Sequence, residues 1–166
     1  MSSRHCFQAW QEVSGVDGGS TTSRTLIPEC SVHILRAPVV ATWGESLDQL
    51  LECKTGQLVF ENFLRTEYSE ENLLFWLACE DYKKITNETE MTVAASRIYK
   101  EFVQVDAPRQ INIDCGTREE ISENISQPGP NCFNRAQRLI YGLMENDCYP
   151  RFLKSEIYQT LLEQAE

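Results

Sequence analysis

Glu67-Tyr68-Ser69-Glu70-Glu71-Asn72-Leu73-Leu74-Phe75-Trp76-Leu77-Ala78-Cys79-Glu80-Asp81-Tyr82-Lys83-Lys84 is the stretch on which the fold turns. Its centre, Leu73 to Cys79, holds seven uncharged residues, while both tips are charged. A segment apolar on every side at its middle is the pattern of a buried central helix. Seven residues at about 1.5 Å each cover only about 10 Å, against the roughly 20 apolar residues that a bilayer requires. The stretch therefore reads as a core element. Ser69 is the expected N-cap, Glu70 and Glu71 suit the helix's positive end, and Lys83 and Lys84 suit its negative end. The first turn carries a phenol, two carboxylates and a carboxamide on a rigid support, so it is a candidate contact surface as well as a cap.

The chain has 166 residues, which fits one domain with a substantial core. Its formal net charge is -10, and the acidity is uneven: residues 1–42 carry three basic and three acidic side chains, the remainder twelve and twenty-two. An acidic domain without a Lys/Arg cluster is a poor match to nucleic acid or to an anionic membrane surface. Seven cysteines occur without any C-x-x-C spacing, and both histidines precede residue 34. No metal site, cofactor or disulfide framework is expected from that pattern. With no apolar signal core at the amino terminus, the expected setting is intracellular with reduced thiols.

Residues 1–42 lack a sustained period and read as a mostly disordered tail. Cys6, within a short patch ending at Trp10, marks a candidate acylated anchor with weak peripheral membrane contact, set against a plain tail. From Trp43 to the end the pattern is helical. Trp43, Leu47, Leu50 and Leu51 share a face, and Thr55-Gly56 is expected to break the run before Leu58 to Leu64. After the central helix, a polar loop at Asn87 to Glu90 precedes an amphipathic set from Met91 to Val103. Ile111-Asn112-Ile113-Asp114 has no partner strand and reads as an ordered loop pinned by two isoleucines. Thr117 to Glu120 fits a capping box, and Pro128-Gly129-Pro130 stops that helix. Cys132 to Met144 forms the cleanest amphipathic helix, Asn146-Asp147-Cys148 interrupts it, and Pro150 starts another. The expected fold is all-α, an irregular bundle of about eight or nine helices, with the domain over 43–166.

Without a histidine in the folded part, a Ser-His or Cys-His nucleophile is excluded there. Phosphate-binding glycine loops are absent, and adjacent carboxylates such as Glu70-Glu71 diverge by about 100° on a helix. The residues describe a binding module rather than an enzyme.

Tyr68-Ser69-Glu70-Glu71-Asn72 with the apolar run behind it, Ile111-Asn112-Ile113-Asp114, Leu143-Met144-Glu145 with Asp147, and Tyr149-Pro150-Arg151-Phe152-Leu153-Lys154-Ser155 together resemble the regulator of G-protein signalling (RGS) family, most closely its small single-domain members. The likeness runs from about Trp43 to Glu163, with motifs in family order and spacing. It implies a GTPase-activating protein, itself no enzyme, that holds the switch segments of a heterotrimeric G-protein α subunit in their transition-state arrangement and so ends receptor signalling. The alternative is a non-catalytic RGS-homology scaffold for another signalling protein. The implied partner is the GTP-bound α subunit of the inhibitory or Gq class, met by a monomeric cytoplasmic protein recruited to the inner face of the plasma membrane. By motif, the contact residues are Tyr68, Glu71, Asn72, Asn112, Leu143, Asp147, Cys148 and Arg151, which must converge on one end of the bundle. Cys148 stands where the family most often has serine, and Asn146 where a basic residue is common. Cys79, like Cys6, is a candidate for thiol modification by the same resemblance, against the plain reading of a buried cysteine.

Overall fold

The computed structural model describes residues 37–165. Among them lie nine α-helices and two π-helical segments: α1 Ala37–Thr42, α2 Leu47–Glu52, α3 Lys54–Thr66, α4 Glu71–Lys83, α5 Glu88–Ile98 continued by a π segment Tyr99–Val103, α6 Cys115–Asn124, α7 Asn134–Leu143 continued by a π segment Met144–Cys148, α8 Tyr149–Lys154 and α9 Glu156–Ala165. No strand occurs among the described residues, and Ile111 to Asp114 is the ordered loop expected of it. Packed chain begins before Trp43, because α1 is helical and Val40 is fully buried. The rest of the expected tail, Cys6 included, lies outside the described residues.

Two aromatic clusters hold the bundle. At the end formed by α3, α8 and α9, Phe152 meets Phe60 at 5.3 Å, Phe63 at 5.6 Å and Tyr158 at 5.2 Å between ring centroids. Edge contacts of this kind add about 0.5–1.5 kcal/mol each beyond area burial. Tyr149 and Tyr158 also donate hydroxyl bonds to the carbonyls of Trp43 and Val40, tying the start of the domain to its last helices. In the second cluster Phe75 of α4 meets Phe102 and Phe133, and Tyr82 packs on Phe133 while bonding the Gly129 carbonyl. The continuous run from α7 through its π segment into α8 joins the two clusters.

Several local expectations change for identifiable reasons. Thr55 and Gly56 lie inside α3; the break falls at Cys53, whose extended backbone separates α2 from α3. Gly56 serves close approach instead, since a Cβ there would stand 2.2 Å from the Leu50 carbonyl oxygen. Asn87 caps α5 by accepting from the Glu90 N–H at 3.0 Å, so Glu88 to Glu90 form its first turn rather than a loop. Asp114, not Thr117, caps α6 and accepts both the N–H and the hydroxyl of Thr117. Ser69 makes no side-chain cap for α4; its carbonyl takes the bonds of Asn72 instead. Asn146-Asp147-Cys148 does not interrupt the helix. The chain passes through as a π turn, in which the Tyr149 N–H reaches the Met144 carbonyl. One wider turn rotates the register and lets both Cys148 and Tyr149 enter the core.

Replacing Gly56 by alanine should cost about 1–3 kcal/mol in urea unfolding, because its neighbour is backbone and cannot yield cheaply. Gly129 has open space for 4 Å around the place a Cβ would take and no positive φ, so it should accept alanine within about 0.5 kcal/mol. Equal losses at the two positions would contradict the close-approach account of Gly56.

Candidate functional site

The turn between α3 and α4 is where the fold exposes its most unusual residue. Glu67 and Tyr68 close the end of α3, their N–H groups reaching the carbonyls of Leu64 and Arg65. Tyr68 has φ 55°, a left-handed conformation that costs a non-glycine residue about 1–2 kcal/mol. The residue is 91% exposed. A strained backbone that presents a large aromatic to solvent is the kind of outlier from which a contact role is inferred.

Behind it, α4 sits so deep that no residue from Glu71 to Glu80 is fully exposed, though only one face, Asn72, Leu73, Phe75 and Cys79, is fully buried over that length. Glu71 opens the helix half-buried. Burial pushes its carboxyl pKa up, a backbone hydrogen bond opposes the rise, and the neighbouring Glu70 charge adds to it. Asn72 is only 4% exposed; its amide donates to the Ser69 carbonyl at 3.3 Å, while its side-chain oxygen has no partner. An unpaired buried acceptor is costly, about 1–3 kcal/mol, and here it belongs to the residue that directly follows Glu71.

Arg151 joins the late helices to this turn. From α8 its Nε and Nη2 clamp the Glu67 carboxylate, the closest contact being 2.7 Å, and Nη1 reaches the Asp147 carboxylate one helical turn back. The two carboxylates raise the guanidinium's pKa further. Exposed pairs of this type add at most about 1 kcal/mol to stability, but a bidentate fork fixes orientation. Glu67 carries no local sequence signal for this role, since its partner is 84 residues away.

The third stretch arrives through the loop before α6. Tyr68, Glu70 and Glu71 line a cleft of about 330 Å3 with Pro108, Arg109 and Gln110. Asn112, two residues on, is exposed between buried Ile111 and Ile113. The structure thus brings residues 67–71, 108–110 and 147–151 to one end of the bundle. Leu143 is half-buried at the end of α7, one π turn before the exposed Asp147.

Cys148 is 2% exposed, its thiol pushed up by burial and drawn down by Arg151 beside it, so it supports this face from beneath. Asn146 turns back on its own helix, donating to the Gly142 carbonyl at 2.8 Å. Cys79 is buried and burial pushes its thiol pKa up strongly, the opposite of a reactive thiolate. Among the described residues no group of three or more His, Cys, Asp and Glu could hold a metal, and no helix is long and apolar enough to cross a membrane.

A family model described as "Regulator of G protein signaling domain" matches residues 46–161. Human regulator of G-protein signaling 1 is 53% identical over 136 residues, covering 82% of this chain and 65% of that protein, just under two thirds of its length. Human regulator of G-protein signaling 21 is 52% identical over 125 residues, covering 75% of this chain and 82% of that protein. Regulator of G-protein signaling 8 of Danio rerio is 50% identical over 127 residues, covering 76% and 73% respectively.

The half-buried Glu71 carboxylate bears on stability. A carboxyl whose pKa is raised by folding destabilises the fold once ionised. That penalty is complete above the folded pKa and absent below the unfolded one. Glu71→Gln should therefore melt higher than the unaltered chain at pH 7, with the gain fading near pH 3. A lower melting point at pH 7 would contradict the direction assigned to Glu71.

Proposed function

The chain belongs to the RGS domain family, and from that membership we infer that it activates the GTPase of heterotrimeric G-protein α subunits, shortening the life of their GTP-bound state. The observation that carries this reading is the meeting of three distant stretches on one rigid end, with the Arg151 clamp on Glu67 and the cleft shared by Glu71 and Gln110. The binding surface is Tyr68, Glu71, Asn112, Leu143, Asp147 and Arg151, with Asn72 and Cys148 under it. Its partner is an α subunit of the inhibitory or Gq class, met at the inner face of the plasma membrane.

The mechanism is positioning. GTP hydrolysis by an α subunit requires an attacking water held in line, a glutamine to orient it and positive charge on the phosphates, and the arginine for the last is already in cis. A helper therefore needs only to hold mobile switch segments where the transition state wants them. Asn112 suits contact with the switch glutamine, because a carboxamide donates and accepts at once and never changes charge. Tyr68 supplies a fixed aromatic anchor. The carboxylates of Glu71 and Asp147 accept from backbone and side-chain donors of the switches, and Asn72 holds the entrance of α4 from beneath through its bond to the Ser69 carbonyl. No group on this chain takes a proton from the water or forms a bond to phosphorus.

Single-turnover hydrolysis of GTP by purified inhibitory-class and Gq-class α subunits tests the reading. The chain should speed phosphate release by at least one class, and Asn112→Ala should fold normally yet lose about ten- to a hundredfold of the acceleration, the equivalent of about 1–3 kcal/mol. No acceleration of either class by the folded, unaltered chain would leave the scaffold reading in its place. Tyr68→Gly separates contact from folding. It should keep or raise the melting temperature, because glycine relieves the left-handed backbone, while weakening binding to the α subunit. A variant that melts lower and binds unchanged would remove the anchor role.

A further inference from the structure

Asn112 sits on a loop with no helix or strand of its own, so its usefulness depends on what holds that loop. On one side, the Arg109 N–H donates to the Glu101 carbonyl at 3.0 Å and the Ile111 N–H to the Phe102 carbonyl at 2.9 Å. On the other, Asp114 caps α6. Between them stands Arg118, in the first turns of α6. Its Nε donates to the Val103 carbonyl at 2.9 Å and its Nη2 to the Ile113 carbonyl at 3.4 Å. Val103 ends the π segment, and Ile113 directly follows Asn112. One planar group thus spans the two main-chain segments that flank the asparagine.

Two further observations separate this from a surface charge of convenience. Among the described residues Arg118 forms no ion pair with a carboxylate; both of its hydrogen bonds go to backbone carbonyls. It is also a cation near the start of a helix, where the macrodipole disfavours positive charge. Bonds from a guanidinium to carbonyls are charge-assisted and directional, and a lysine at the same place offers only a point charge on a flexible stem.

We propose that Arg118 is a positioning residue for Asn112: by bridging the Val103 and Ile113 carbonyls it presets the asparagine's backbone before the α subunit arrives. The proposal rests on the GTPase-activating reading and deepens it. Preorganisation of this kind appears in the maximal acceleration at saturating chain more than in the concentration needed to reach half of it.

The test is a double-mutant cycle in single-turnover GTP hydrolysis, using the full chain, Arg118→Lys, Asn112→Ala and the double variant, with thermal melts of each. Arg118→Lys should lower maximal acceleration about tenfold in the unaltered background and by less than about twofold when Asn112 is already alanine. Full acceleration by Arg118→Lys, or equal losses in both backgrounds, would overturn the proposal while leaving the functional reading standing. Failure of the unaltered chain in the same assay would sink that reading itself. Should Arg118→Lys not fold, the backbone order parameter of Asn112 in the unaltered, unbound chain decides: about 0.85 supports a preset loop, and a value below about 0.6 overturns it.

Discussion

The immersion of α4 is the constraint on which the rest of this structure depends. Its buried face packs Phe75 against Phe102 of the first π segment and Phe133 before α7, and Tyr82 reaches the Gly129 carbonyl. A helix whose buried face is packed against both Phe102 and Phe133 cannot rotate or slide without opening both neighbours, since close-packed interiors shift between discrete arrangements and do not deform gradually. Its first turn is therefore a fixed platform. The strained Tyr68, the desolvated Glu71 and the unpaired oxygen of Asn72 are all local costs that such a platform can carry, because the packing behind it determines their geometry.

The two π segments extend the same logic. Each inserts a wider turn where a helix meets the site: Tyr99–Val103 leads into the loop bearing Asn112, and Met144–Cys148 carries Asp147 and precedes Arg151. A wide turn shifts register, so residues that an unbroken α-helix would spread around its circumference are divided cleanly between core and surface. Cys148 and Tyr149 go inward while Asp147 and Arg151 stay outside, bonded to each other and to Glu67. The exposed carboxylates and guanidinium add little to stability. Their effect is geometric, holding α8 to the turn before α4.

Much of this is legible in the sequence, and the exceptions have physical reasons. The apolar run from Leu73 to Cys79 marks the central helix because burial leaves a compositional trace, and the alternation of Ile111 and Ile113 around Asn112 marks a pinned loop. Periodicity cannot reveal the π turns, since Asn146-Asp147-Cys148 looks like a break unless the register shift is known. Gly56 misleads for a related cause: glycine signals both chain breaks and close approach, and only the neighbouring Leu50 carbonyl distinguishes them. Glu67 and Arg118 leave no local trace at all. Glu67 acts across 84 residues on Arg151, and Arg118 acts on main-chain carbonyls, which every residue possesses. The family resemblance supplies candidate contact residues; burial then divides them, with Tyr68, Asn112, Asp147 and Arg151 exposed and Asn72 and Cys148 buried.

A GTPase-activating role requires this end of the bundle to be preformed for the transition-state arrangement of an α subunit's switches. Binding of the chain to one α subunit in three states tests it most directly: with GDP, with a non-hydrolysable GTP analogue, and with GDP plus aluminium fluoride, which mimics the phosphoryl group in flight. Binding should be tightest to the aluminium fluoride state, by about tenfold or more over either of the others. Equal affinity for all three states would contradict it, because a surface indifferent to the switches cannot accelerate the step that they control.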